Sequence, residues 1–281
     1  MPIGDGARLT GAGQGRLSSR VPTVLITGAS SGIGRELARL FARDGFALVL
    51  VSRRQDRLAA VAGELRESHG ASVTTIPADL TVPGEVDRLV STLQGSDIRV
   101  DVLVNNAGFG GAGRFLDTDL AEELAMVALN VGAVVQLTKR LLPGMVEKQR
   151  GRILNVASTA AFQPGPFQAV YFATKAFVLS FSEAIAEELR DTGVTVTTLC
   201  PGPTETGFAE RARFASTPML GARMDARSVA EVAYAATLRG ERIVVPGMVN
   251  KMHAQAVRLT PRKLLARLAG AAQQRRLPPD S

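Results

Sequence analysis

One pattern constrains this chain before any single residue does: short apolar runs without polar alternation recur between stretches of helical period. Thr23 to Gly28, Ala47 to Ser52, Ser72 to Ile76, Val100 to Val104, Gly151 to Ala157, Val194 to Leu199 and Ile243 to Val245 read as strands. Runs of this kind are what strands look like when both faces of their sheet are covered. Helical spacing fills the intervals, over Gly32 to Arg43, Gln55 to Ser68, Pro83 to Leu93, Leu120 to Leu142, about Gln168 to Arg190, and Ala226 to Leu238. Strand then helix, repeated, predicts an α/β fold: one doubly wound, Rossmann-type parallel sheet of about seven strands with helices on both faces. A Pro-rich stretch from Pro201 to about Met224 interrupts the rhythm, and a mostly helical tail containing Pro261 ends the chain.

A chain of 281 residues suits one such domain, and 46% hydrophobic with 21% charged residues is ordinary for a globular protein. Residues 1–20 are expected to form a disordered leader, 21–249 the folded α/β domain, and 250–281 a basic helical extension. The net charge of +7 is carried by the ends. Residues 1–20 and 251–281 hold ten Lys and Arg against two Asp, which leaves the body at −1. A nucleic-acid-binding core is therefore disfavoured. No continuous apolar run approaches the ~18 residues of a membrane span, and no secretory signal is seen, so a cytoplasmic protein is expected. Cys200 is the single cysteine and reads as a small buried residue at a strand end. No metal-ligand spacing is present, and His69 and His253 are expected to lie away from the site.

Sheets of this class bind ligands beyond the carboxyl ends of their strands. The first such loop carries Gly28, Ser30, Ser31, Gly32, Ile33 and Gly34 before a helix. Its Gly-x-x-x-Gly-x-Gly spacing lets backbone approach a pyrophosphate at a helix N-terminus. After the second strand come Arg53 and Arg54, where a site for an unphosphorylated ribose would offer a carboxylate. Guanidinium groups there favour a 2′-phosphate, hence NADP(H) over NAD. Farther on, Tyr171 and Lys175 stand four apart on a predicted helix, thirteen residues after Ser158. A unit charge about 4 Å from a phenol, at an effective dielectric of about 20, is worth roughly 4 kcal/mol. That would draw a tyrosine pKa from about 10 towards 7.

Taken together, Thr27 to Gly34, Asn105-Asn106-Ala107-Gly108, Ser158, Tyr171-x-x-x-Lys175 and Pro201-Gly202 occur in the order and spacing of the short-chain dehydrogenase/reductase family, which the chain resembles from about Pro22 to Val245. The resemblance implies an NADP-dependent oxidoreductase acting on carbonyl or alcohol groups. It implies Tyr171 as general acid or base, Lys175 lowering its pKa and binding the nicotinamide ribose, Ser158 bonding the substrate oxygen, and Asn130 holding a water on the proton path. Asp79 with Leu80 would meet the adenine, Asn105, Ala107 and Gly108 would line the adenosine side, and Asn106 would be structural. Pro201, Gly202 and one of Thr204 and Thr206 would cover the nicotinamide.

The substrate wall is expected from Phe109 to Phe115, Phe162 to Phe167 and Phe208 to Met224, which suits a lipophilic carbonyl; a 3-oxoacyl thioester, a steroid-like ketone and a xenobiotic aldehyde remain open. A homodimer or homotetramer through the helices at Leu120–Leu142 and Gln168–Arg190 is implied. Two rival readings are a non-catalytic NADPH sensor and a peripheral membrane protein using the C-terminal segment. In that segment Val257, Leu264, Leu265 and Leu268 interleave with Arg258, Arg262, Lys263 and Arg267, although packing on the chain's own domain or a partner subunit is the simpler use of it.

Overall fold

A computed structural model describes residues 20–206 and 223–274. The expected leader, apart from Arg20, and most of the expected wall at Phe208 to Met224 lie outside them. Seven parallel strands form one sheet in the order β3-β2-β1-β4-β5-β6-β9. They are β1 (Thr23–Thr27), β2 (Ala47–Ser52), β3 (Val73–Pro77), β4 (Val102–Asn105), β5 (Gly151–Val156), β6 (Val194–Leu199) and β9 (Ile243–Val244). A separate parallel pair, β7 (Thr204–Glu205) with β8 (Met224–Asp225), joins two described segments at the ends of the Pro-rich interruption.

The helices are α1 (Gly32–Arg43), α2 (Gln55–His69), α3 (Glu85–Gly95), α4 (Leu120–Val127), α5 (Val134–Glu147), α6 (Ala169–Glu188), α7 (Ala226–Arg239), α8 (Met248–Leu259) and α9 (Arg262–Gln274). Pro261 divides the tail into α8 and α9 because it cannot donate within a helix yet is tolerated at a helix start.

Successive strand residues point to opposite faces and build two cores. Val24, Ile26, Leu48, Leu50, Val102, Val104 and Leu154 pack with α1, α2 and α7 on one side. Leu25, Val49, Val51, Leu103, Ile153 and Val196 pack with α3, α5 and α6 on the other. Each fully buried Leu or Ile contributes about 1.5–3 kcal/mol. Ring pairs add to this: Phe41 meets Phe46 and Tyr234 edge-on, with centroids 5.0 and 4.8 Å apart.

Strand order reverses between β1 and β4, which makes that point the topological switch. The expected long helix at Leu120 is not uniform. Between α4 and α5, residues Ala128–Ala133 form a π-helical turn that contains Asn130. The whole stretch Leu120–Glu147, like Ala169–Glu188, is long and apolar enough by length and composition to cross a membrane. That differs from the reading of the sequence, which looked for an unbroken apolar run. In the fold these helices lay Leu129, Ala133, Leu137 and Ala186 onto the sheet.

Candidate active site

All six loops beyond β1 to β6 open into one cleft of about 1560 Å³. At the β1 end, Gly28 and Gly32 adopt φ of +66° and +54°, a region open to glycine and strained for other residues. Gly34 is needed for closeness and does not line the cleft. A Cβ there would sit 2.5 Å from Gly28 O and 2.4 Å from Asn106 Nδ2. The turn is held from across the switch point: Asn106 Nδ2 donates to Thr27 O at 2.9 Å and to Gly28 O at 3.3 Å. Thr27 Oγ1 accepts from the backbone N–H groups of Asn106 and Ala107 at 3.0 Å. Ser31 at the N-cap of α1 makes no side-chain cap bond, and the first turn has no acidic residue. Its N–H groups and positive dipole end are thus available to an anion, and Ser30, Ser31, Gly32 and Ile33 all line the cleft.

Arg53, Arg54, Asp79 and Leu80 line the same end, joined by Arg57, which the sequence reading passed over. Arg57 follows Arg53 by four residues, so helical spacing after Arg54 was the signal for it. Asp79 closes a turn by accepting from Thr81 N at 3.0 Å and Thr81 Oγ1 at 2.7 Å. Burial opposes its ionisation, but those bonds and the Arg53 guanidinium 3.5 Å away outweigh burial and hold the carboxyl below its ordinary range. With free amides at the turn and partly exposed guanidiniums beyond β2, these residues fit a phosphorylated dinucleotide.

Of the two asparagines at the end of β4, Asn105 is not the cleft contact expected, whereas Asn106 has the structural role expected of it, holding the glycine turn, and also lines the cleft. Asn105 is buried and its side chain bonds within the sheet, Nδ2 donating to Asn155 Oδ1 at 2.9 Å and Thr138 Oγ1 at 3.3 Å; it does not line the cleft. Its register partner Asn155 on β5 is the reason, since a buried amide facing another across the sheet can donate to it, while Asn105 Oδ1 is left without a partner among the described residues. Asn106, beyond the strand end, lines the cleft together with Ala107 and Gly108.

At the centre, α6 places Tyr171 and Lys175 one turn apart, and the cleft wall brings Ser158 to them from the loop after β5. Ser158 and Tyr171 are hydrogen-bonded. Ser158 Oγ also accepts from Ala160 N at 3.1 Å, which fixes it at the start of a 3₁₀ turn. Lys175 Nζ donates to Val156 O at 2.8 Å and lies 5.9 Å from the Tyr171 ring centre. Asn130, 1% exposed, does not line the cleft. Its amide donates to Phe109 O and Thr174 Oγ1, and its Oδ1 accepts from Phe109 N. A Cβ on Gly108 would come 2.9 Å from Asn130 Oδ1 and 3.4 Å from Lys175 Nζ, so Asn130 packs from beneath against two residues of the cleft wall.

Electrostatically the pair departs from the two-charge expectation. Burial pushes the Tyr171 phenol up to about 12, with the Ser158 hydrogen bond acting against it. Burial likewise pulls the Lys175 ammonium down to about 8. Lys175 does not draw the phenol towards 7, because loss of water penalises both charged forms and its ammonium is bonded to a carbonyl instead. Cys200, just past β6, is a buried free thiol pushed up to about 12 by the same loss of water.

Pro201, Gly202, Thr204 and Thr206 line the cleft, with Thr204 Oγ1 donating to Gly202 O at 3.0 Å. Gly202 is pressed against Asn250 of α8: a Cβ there would lie 2.4 Å from Asn250 Oδ1. The substrate end differs from expectation. Phe109 and Gln163 contribute to the wall, but Phe115 is exposed and the roof comes from α8 and α9. Val249, Met252, Ala256, Val257, Leu265, Leu268, Ala269 and Gln273 all line it. So does His253, contrary to the expectation that it lies elsewhere, since α8 folds back over the cleft mouth. The roof is tied to the start of α6 at Gln168, three residues before Tyr171. Gln168 Nε2 donates to Gly111 O at 3.1 Å, and its Oε1 accepts from Gln273 Nε2 at 3.3 Å. No local pattern points to that pairing; a polar residue on the apolar stripe Leu265, Ala269, Gln273 was the only trace.

The family model described as short chain dehydrogenase matches residues 22–216. A ketoacyl reductase of Nostoc sp. is 37% identical over 209 residues, covering 74% of this chain and 72% of that protein. A very-long-chain 3-oxoacyl-CoA reductase of Laccaria bicolor is 41% identical over 177 residues, covering 61% of this chain and 52% of that protein's length. Among solved structures, a short-chain dehydrogenase from Sphingobium yanoikuyae in complex with NADPH is 34% identical, with a TM-score of 0.76, covering 88% of this chain and 98% of its own.

Proposed function

Because the chain belongs to the short-chain dehydrogenase/reductase family and shares its NAD(P)-dependent activity on CH–OH and C=O groups, we propose that it is an NADPH-dependent reductase of lipophilic ketones, with 3-oxoacyl thioesters the leading class. The observation that supports this best is the convergence of Ser158, Tyr171 and Lys175 in a cleft whose far end is walled by apolar side chains. The ketoacyl and 3-oxoacyl-CoA reductases among its relatives favour the same class. Arg53 and Arg54 would bind the 2′-phosphate, and the free first-turn amides of α1 the pyrophosphate. When bound, the reduced nicotinamide supplies the hydride.

The residues of the chain manage the proton. With Tyr171 held up to about 12 and Lys175 down to about 8, both keep their protons at neutral pH. Tyr171 therefore rests as an acid, the state required to protonate a carbonyl oxygen as charge builds on it. The Ser158 hydroxyl, bonded to the phenol, is placed to donate to that same oxygen. Lys175, one turn along α6 and held by Val156 O, would bind the nicotinamide ribose, and Asn130 shapes the floor by fixing the Phe109 backbone. Leu120, Leu124, Val127 and Phe177 stand exposed on α4 and α6, and these would form the contact of a homo-oligomer.

A screen of 3-oxoacyl thioesters and bulky ketones, with NADPH and with NADH, tests the reading. Tyr171→Phe should lower kcat by about 10²–10⁴-fold while NADPH binding persists. Full turnover by that variant sinks the mechanism, and NADPH binding without oxidation by any carbonyl of the panel sinks the reductase assignment.

A further inference from the structure

The helices that roof the cleft have a second face. Inward, Ala254 and Val257 of α8 and Leu265, Ala269 and Gln273 of α9 are buried. Outward, Met248, Met252 and Leu259 of α8 are 71%, 65% and 88% exposed, and Leu264 and Leu268 of α9 are 48% and 57% exposed. Their spacing of four, or of seven between Met252 and Leu259, keeps them on one stripe of each helix. Large apolar side chains gathered this way mark a surface that is covered in use.

Charge identifies what covers it. From Met248 to Gln274 there is no Asp or Glu, while Lys251, Arg258, Arg262, Lys263 and Arg267 lie within that span. The exposed apolar residues of α4, Leu120, Leu124 and Val127, are by contrast interleaved with Asp119, Glu122 and Glu123. An acid-flanked patch is repelled by an anionic surface, and a purely basic one is attracted to it. Helices with exposed Met and Leu among Lys and Arg have the composition of an interfacial membrane contact.

The stripe also runs into the site. Val249, Met252 and Leu268 are exposed at the surface and at the same time line the cleft, so apolar surface is continuous from the outer face of the roof to the space in front of Tyr171. The cleft, at about 1560 Å³, is larger than one drug-sized ligand fills, which leaves room for a long apolar substrate beside a dinucleotide.

We propose that α8 and α9 form a reversible docking surface for an anionic phospholipid bilayer, through which a bilayer-dissolved carbonyl compound enters the cleft. What happens to that compound rests on the reductase reading; the docking itself does not. The full chain is sedimented, without substrate, with vesicles of phosphatidylcholine alone and of phosphatidylcholine with phosphatidylglycerol. Partition should be at least roughly tenfold stronger on the anionic vesicles and should weaken with salt. Leu259→Glu with Leu264→Glu, two exposed positions outside the cleft wall, should lower that partition at least roughly tenfold. Reduction of a water-soluble ketone without vesicles should be unchanged in this variant.

No pelleting with anionic vesicles overturns the proposal, as does equal pelleting of wild type and variant. A variant that dissociates a larger assembly while keeping its vesicle binding assigns the stripe to a second copy of the chain, which also overturns it. Should no carbonyl of the panel be reduced while vesicle binding still depends on Leu259 and Leu264, the reductase reading falls and the docking stands.

Discussion

The two ends of the cleft are built by different means. The cofactor end is made by backbone: a glycine turn, the first amides of α1, and loops pinned to strand ends. The substrate end is roofed by side chains of α8 and α9, which are joined to the rest of the cleft at the 3₁₀ turn after β5 and through the Gln168–Gln273 bond before α6. Backbone geometry tolerates little change, whereas a roof of side chains can be repacked. Under the proposed function, the cofactor would thus be held by the rigid end, and the choice of substrate would be left to the other.

Three substitutions probe this contrast. Gly34→Ala strikes the rigid end where backbone meets backbone, with Gly28 O only 2.5 Å from the new Cβ. It should cost about 1–3 kcal/mol of stability by overpacking, and NADPH affinity should fall with the turn, read by thermal melting and fluorescence titration. An unchanged melt and affinity would show the turn to be as adaptable as the roof. Arg53→Ala leaves the turn alone and removes a charged donor, so NADPH should lose about tenfold or more in affinity while NADH is nearly unaffected. Equal losses for both cofactors would mean that Arg53 acts through Asp79. The smallest effect belongs to the roof. Gln273→Met deletes one neutral hydrogen bond, but also an Oε1 that is buried without a partner among the described residues. The two should offset to within about 1 kcal/mol of stability, with the change appearing in KM for long substrates and not in kcat.

Legibility in the sequence follows the same division. The order of strands and helices, the glycine turn, and Ser158, Tyr171 and Lys175 are local patterns, and the structure brings them to one cleft. Asn105 turns into the sheet instead of the cleft because one residue at a strand end decides whether a side chain enters the sheet or leaves it. The direction of the Tyr171 shift was missed because spacing reports charges and is silent about lost water. His253, Arg57 and Gln273 join the site through the folding back of α8 and the start of α2, and the Gln168–Gln273 contact spans 105 residues of sequence. Contacts of that range leave no period to read.

The bonds from Asn106 to Thr27 and Gly28 have a consequence for the order in which the molecule is made. They tie residues 79 and 78 apart in the chain, so the turn that looks most local is completed by a contact of high contact order. As the chain emerges during synthesis, β1, the turn and α1 come first, yet their amide carbonyls are secured only once β4 has paired with β1. A nascent chain stalled before Asn106 should therefore carry the complete glycine sequence and still fail to retain the nucleotide.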